Sequence, residues 1–212
     1  MIAVVDYRAG NLTSVMTAFK AIGAEAVLTS SPDTIRGADR VVFPGVGAAG
    51  QSMANLAELG LIEPLRETVA TGVPFLGICV GFQLLFESSE EDGGTECLGL
   101  LPGRVVRFSE AMPAEDASRT LKVPHMGWNE VRFARQHPLC RDIDPGSEFY
   151  FVHSYFPVPA HQHVLARTDY GVEFTSGVAA GNIAAFQFHP EKSGRGGLQL
   201  LRNFRAWTPQ AE

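Results

Sequence analysis

Three short stretches carry residue types suited to acyl chemistry. In "GICVG", Gly77 to Gly81, a thiol stands between two glycines with apolar residues on either side. The pattern matches a nucleophile elbow: the reactive residue occupies a sharp strand-to-helix turn, and its neighbours lack side chains so that backbone segments can approach. A helix beginning at Val80 would aim its N-terminal dipole at the Cys79 sulfur and favour the thiolate. A buried structural cysteine is the commoner fate of a free thiol, and five residues alone do not decide between the two. Cys97, after the acidic "SSEEDGGTE" loop, and Cys140, after a proline, have no such frame.

A cysteine nucleophile needs a base, and the base needs a group to orient it. Of the six histidines, His189 alone ends a strongly apolar strand pattern, "IAAFQFHPE", where open α/β sheets form their ligand crevice. Glu191 follows two residues on, on the same side of an extended chain, within reach of the far ring nitrogen. Cys79, His189 and Glu191 thus fill the nucleophile, base and orienter roles, although a lone His-x-Glu more often marks a satisfied strand end. The glycine-rich "FPGVGAAG", residues 43–50, offers backbone N–H groups that, with the N–H of Val80, would make a two-donor oxyanion hole. A plain turn also fits that segment, but a phosphate loop does not, since no Gly-Lys-Ser/Thr follows. His161 and His163 lack a third metal ligand at a recognisable spacing, and neither metal nor cofactor is expected.

Positioning these groups is the work of a layered fold. "IAVV", "AEAVLTS", "RVVFPG" and "VPFLGI" read as strands. Between them, "NLTSVMTAFKAIG" places Leu12, Val15, Phe19 and Ile22 at helical spacing, and helical material runs from Gln51 to Thr71 with a break near Gly60. "GFQLLFE" is expected to leave the fourth strand as a helix. "RVVRF", "WNEVRF", "EFYFVHSYF" and "HVLARTDYG" then read as antiparallel strands, with a polar excursion over Ser109 to Thr120, and "GGLQLLRNFRAW" as a closing amphipathic helix. The prediction is an α/β fold with a central, mostly parallel sheet flanked by helices and an antiparallel strand-rich region in the second half. It forms one domain over residues 1–212.

Seventeen basic and twenty-three acidic residues leave a formal charge of −6, which argues against a general nucleic-acid binder. Three cysteines without a C-x-x-C pair fit a reducing compartment. No apolar run approaches a membrane span, and the N-terminus lacks the basic region of a signal peptide. The chain reads as cytoplasmic.

In this order, "GICVGFQ" and "FHPE" resemble the motifs of the class I, triad-type glutamine amidotransferases. "PGVG", "VPHMGWN", "YFVHSY" and "FQFHPEKSG" are similar to the glutaminase subunits of imidazole glycerol phosphate synthases, a likeness spanning almost the whole chain. "PHMGWN" and "PGVG" separate it from the glutaminase of pyridoxal phosphate synthase. Gln83 and the His-Pro-Glu order separate it from cysteine peptidases on related sandwiches. The resemblance implies a flavodoxin-like layered fold and glutamine hydrolysis through a Cys79 thioester, with the Val46 peptide in the oxyanion hole. It implies that Gly47, Gln83, Ser154 and Tyr155 hold glutamine and that Lys192 sits at the rim. The implied partner is a (β/α)₈-barrel cyclase in a heterodimer, contacted by Asn11, Met126, Trp128 and Asn129. Such a barrel needs about 250 residues of its own. Core packing is the alternative place for Trp128. The sequence departs from the family at Arg8, where glycine is usual, at Ala49, where an aromatic is common, and at Val80 and Phe82, which replace Leu and Met.

Overall fold

The structure is a computed structural model that describes residues 1–10, 12–109, 112–113 and 120–209. Strands β1 (Ile2–Val5), β2 (Ala26–Thr29), β3 (Arg40–Gly45) and β4 (Phe75–Cys79) alternate with helices α1 (Leu12–Ala21), α2 (Pro32–Arg36), α3 (Ala49–Glu58) and α4 (Ile62–Ala70), and a one-turn helix α5 (Val80–Gln83) follows β4. Short strands come next: β5 (Ser88–Ser89), β6 (Thr95–Glu96), β7 (Gly103–Arg107), β8 (Met112–Pro113) and β9 (Thr120–Leu121). Then come β10 (His125–Glu130), β11 (Arg132–Phe133), β12 (Glu148–His153), β13 (Tyr155–Pro159), β14 (Val164–Asp169), β15 (Glu173–Ala180), β16 (Ile183–Phe186) and helix α6 (Gly194–Ala206).

The main sheet has eight strands in the order β11-β14-β15-β16-β4-β3-β1-β2. From β16 to β2 its neighbours run parallel, and from β16 to β11 they run antiparallel. This is the mixed α/β architecture read from the sequence. β1, β4 and β16 are buried at every residue, as runs such as "IAVV" and "IAAF" require when helices cover both faces. α1 buries Val15, Ala18 and Phe19, and Gly23 ends it at φ +66°, a left-handed conformation that suits a residue without Cβ. Among the described residues no helix is long and apolar enough to cross a membrane.

Several elements differ from expectation: α2 forms where no helix is expected, and "WNEVRF" divides at Val131 between β10, which pairs with β12, and β11, which pairs with β14. "GFQLLFE" makes a single helical turn, because the carbonyls that would continue it are taken from outside: Leu84, Leu85 and Phe86 accept from the N–H groups of Leu98 to Leu101 at 2.8–2.9 Å. "EFYFVHSYF" is two strands rather than one. β12 pairs with β10 and β13 with β7, and the chain changes ladders at Ser154, whose carbonyl accepts from the Phe108 N–H at 3.0 Å. The excursion expected over Ser109 to Thr120 lies mostly outside the described residues, apart from the short β8–β9 pairing.

Behind β12 lies an aromatic core in which His125 stacks on Tyr170 at 4.0 Å and on Phe151 at 4.7 Å. Its imidazoles form a one-way chain. The Tyr155 carbonyl can only accept, so His153 Nδ1, 2.7 Å away, carries a proton. His153 Nε2 therefore accepts from His125 Nδ1 at 2.9 Å, and His125 Nε2 accepts from the Asn129 amide at 3.2 Å. Burial lowers His125 to about 4 and, together with the charge of its neighbour, His153 to about 3. A neutral ring disfavours protonation in the fold, so its stabilising effect is complete above the ordinary histidine value and lost as pH falls below it. At about 1.4 kcal/mol per pKa unit, unfolding free energy should drop by several kcal/mol between pH 6.5 and 4. Denaturant titrations across that range check this, and a flat profile from pH 6.5 to 5 would contradict the neutral chain.

Candidate active site

Cys79 ends β4 at φ +56° and ψ −112°, a strained position for a residue with a side chain, and such outliers cluster at functional sites. What holds it there is the absence of neighbouring side chains. A Cβ on Gly81 would overlap the Phe43 carbonyl oxygen, and one on Gly77 would sit 2.9 Å from the Ala185 Cβ. Gly45, at the end of β3, likewise leaves room for the Tyr7 hydroxyl and approaches the Gly81 nitrogen. The expected elbow is therefore present. Because α5 is a single turn, any dipolar effect on the sulfur comes from its first N–H groups rather than from a long helix.

β16 runs parallel beside β4, with Phe186 opposite Ile78, so the chain leaving β16 passes the sulfur. His189 is fixed there through its backbone: its N–H donates to Tyr150 O at 2.9 Å, and its carbonyl accepts from the Ser193 hydroxyl at 2.6 Å. Glu191 lies on a 3-10 turn instead of extended chain, yet its Oε1 still reaches His189 Nδ1 at 2.7 Å. Both side chains are buried. A Cβ on Gly197 of α6 would overlap the Pro190 carbonyl oxygen, so the helix packs directly against this turn. Burial alone would depress the imidazole, but the Cys79 sulfur and the Glu191 carboxylate outweigh it and hold the ring up to about 10. His189 Nε2 has no hydrogen-bond partner among the described residues, which leaves one ring nitrogen available for proton transfer.

A cavity of about 280 Å³ opens over the sulfur, lined by Val46, Gly47, Cys79, Val80, Gln83, Glu91, Pro124, Val152, His153, Ser154 and Tyr155. It gathers every residue expected to bind ligand or to form the oxyanion hole. Gly47 stands at φ +100°. Gln83 Nε2 donates to Tyr155 O and to Gln187 Oε1, both at 3.0 Å. Gln187 Nε2 in turn lies 3.8 Å from the Cys79 sulfur. Sequence reasoning missed Glu91, which read as part of a solvated acidic loop. Its carboxylate instead accepts the Ala49 N–H at 2.8 Å, at the start of α3, and burial raises its pKa. Ala49, where an aromatic is common, is fully buried. Arg8 adopts φ +63°, which explains the usual glycine, and its guanidinium pairs with Glu58 at 2.8 Å.

On β10, Met126 and Trp128 point outward and are 62% and 53% exposed, so Trp128 is not a core residue. Its ring lies 6.2 Å from Tyr150, over which Lys192 Nζ sits at 5.8 Å. Asn129 faces the other way and bonds to His125 and to the Asp169 carbonyl. Asn11 lies outside the described residues. His161 and His163 fall on a 3-10 turn, and no group of three or more potential metal ligands forms among the described residues.

Cys97 and Cys140 are pushed up by burial, to about 11 and about 12. Iodoacetamide at neutral pH should therefore label Cys79 first, as peptide mass spectrometry will read. Gly81→Ala should cost at least about 3 kcal/mol of stability through its backbone overlap, measurable by denaturant unfolding.

The glutamine amidotransferase class-I family model matches residues 3–206. Imidazole glycerol phosphate synthase subunit HisH of Thiobacillus denitrificans is 53% identical, over 98% of this chain and 92% of its own. The HisH subunit of Methylococcus capsulatus is 51% identical, over 98% of this chain and 97% of its own. Among solved structures, PurLQS from Thermotoga maritima matches with a TM-score of 0.74 at 18% identity, covering 97% of each chain. A crystal structure of a glutamine amidotransferase matches at 0.70 and 21%, covering 97% of this chain and 98% of that one. At those identities the two structures speak for the fold.

Proposed function

The chain belongs to the class-I glutamine amidotransferase family, and on that premise we propose that it is the glutaminase subunit of an imidazole glycerol phosphate synthase. One observation carries the chemistry: a strained thiol at the floor of an amino-acid-sized cavity, beside a buried imidazole that is hydrogen-bonded to a buried carboxylate.

Glutamine enters with its side-chain amide over Cys79. Gln83, Gly47 and the Ser154–Tyr155 backbone position it, and the Glu91 carboxylate receives its α-ammonium group. The sulfur attacks the amide carbon, and a C–S bond forms as the carbonyl electrons move onto oxygen. The N–H groups of the Val46–Gly47 segment and of Val80 take up that charge. His189 delivers its proton to the amide nitrogen, the C–N bond breaks and ammonia leaves. Water then attacks the thioester, His189 accepts its proton, and the C–S bond breaks to release glutamate. Glu191 keeps the imidazole oriented and stabilises its charged form.

The ammonia is used by a partner subunit, a (β/α)₈-barrel cyclase that converts PRFAR into imidazole glycerol phosphate and AICAR in histidine biosynthesis. Met126 and Trp128, exposed side by side with Lys192 nearby, suit that contact; Asn129 lies on the same strand behind them, and Asn11, also expected to take part, lies outside the described residues. The setting is cytoplasmic. The reading needs no metal or cofactor.

Cys79→Ala should abolish glutamate release while ammonia-dependent synthesis by the assembled complex survives. Loss of both in a folded complex would falsify the assignment. Glu191→Gln should lower kcat on the order of 10²–10⁴-fold and bring the alkaline limb of the rate profile to lower pH, because one of the groups holding His189 up is gone. Glutamate release by the isolated chain should be far below that of the complex with its nucleotide bound, as a coupled assay with and without partner will read.

A further inference from the structure

Gln187 is fully buried just past β16, and its N–H continues the ladder to Ser176 O at 2.9 Å. The orientation of its amide follows from a single fixed group. The Tyr155 carbonyl can only accept, and it receives both His153 Nδ1 and Gln83 Nε2. The Gln83 atom facing it is therefore nitrogen, and that nitrogen's second N–H must meet an acceptor, the Gln187 oxygen at 3.0 Å. Gln187 is left with its amide N–H groups directed at the Cys79 sulfur, 3.8 Å away. On its other side the sulfur has a backbone group, Val152 O at 3.9 Å, which is an acceptor and serves only the thiol.

Two consequences follow for the reaction. With both N–H groups engaged, Gln83 turns its oxygen, an acceptor, toward the cavity, where glutamine brings N–H donors. Gln187 offers the sulfur a donor, which favours the thiolate. A flipped Gln187 would set a carbonyl against that negative charge and a donor against Gln83's own. At 3.8 Å the contact is within reach of a hydrogen bond to sulfur.

We infer that Gln187 is a positioning residue for the glutaminase reaction: its oxygen anchors the Gln83 amide that the Tyr155 carbonyl orients, and its N–H groups pass that polarity on to the sulfur as a donor. The inference rests on the function proposed above.

Two variants separate the two roles. Gln187→Met keeps the volume and removes both polar contacts. Gln187→Glu keeps an acceptor for Gln83 but sets a carboxylate against the sulfur. In the complex with its partner, Gln187→Met should raise the KM for glutamine about tenfold and lower kcat, whereas Gln187→Glu should keep KM within about twofold and lower kcat about tenfold. Cys79 alkylation by iodoacetamide, followed against pH on the full chain, should show its midpoint moved up by at least about one unit in Gln187→Glu and by less in Gln187→Met. A merely structural role would not move that midpoint. An unchanged alkylation profile in Gln187→Glu, or an unchanged KM in folded Gln187→Met, overturns the inference. If the wild-type complex releases no glutamate, the proposed function falls, while the alkylation arm still reports on the Gln187–sulfur contact.

Discussion

The approach of the Gly81 backbone to the Phe43 carbonyl is the constraint on which the site depends. It allows β4 to turn into α5 within one residue while pressed against the end of β3. A side chain at either flanking glycine would push the turn outward and carry the sulfur with it. The strained Cys79 backbone costs on the order of 1–3 kcal/mol, and the apolar residues around it, Ile78, Val80 and Phe82, are buried firmly enough to hold it. A well-packed core and an unfavourable conformation are parts of one device. The core supplies the rigidity, and the Cys79 sulfur sits at its least relaxed point.

The two halves of the molecule make different contributions. The parallel half provides the sulfur and the glycine-rich loop at the carboxyl ends of its strands. The chain leaving β16 provides His189, the proposed base, and the antiparallel half provides the wall formed by Val152 to Tyr155. The same residue type also serves there in two opposite states. His189, beside the Cys79 sulfur and a buried carboxylate, is held charged, whereas burial holds His125 uncharged and burial together with the nearby histidines holds His153 uncharged. Environment alone makes that division, and the two neutral rings and the charged one are bound to the same strand: β12 carries His153 and receives the His189 N–H through Tyr150.

What could be read from the sequence was local. The glycines around Cys79, the strand end at His189 and the alternation of strands with helices each follow from a few neighbouring residues. What could not be read depends on distant partners. The helix after Cys79 stops because Leu98 to Leu101 take its carbonyls, and nothing in "GFQLLFE" announces that. The break at Ser154 depends on which ladder each side joins. Glu91 lies in a charge-rich stretch that has every local mark of solvent exposure, and it turns inward to meet Ala49. The outward face of Trp128 comes from the strand register, since Asn129 one residue on points in. Gln187 stands two residues before His189, as Glu191 stands two after, but a polar residue at a strand end gives no sign by itself of what it will touch.

The adjacency of β4 and β16 has a consequence for the life of the nascent chain. Cys79 and His189 are 110 residues apart in sequence, yet their strands are hydrogen-bonded neighbours. At roughly 5–20 residues per second of synthesis, the thiol exists for roughly 5–20 s before His189 has been made. Until β16 slots between β4 and β15, the sheet lacks an interior strand and the elbow lacks one of its walls. A chain that ends before β16 therefore holds Cys79 on a sheet that lacks His189 and Glu191.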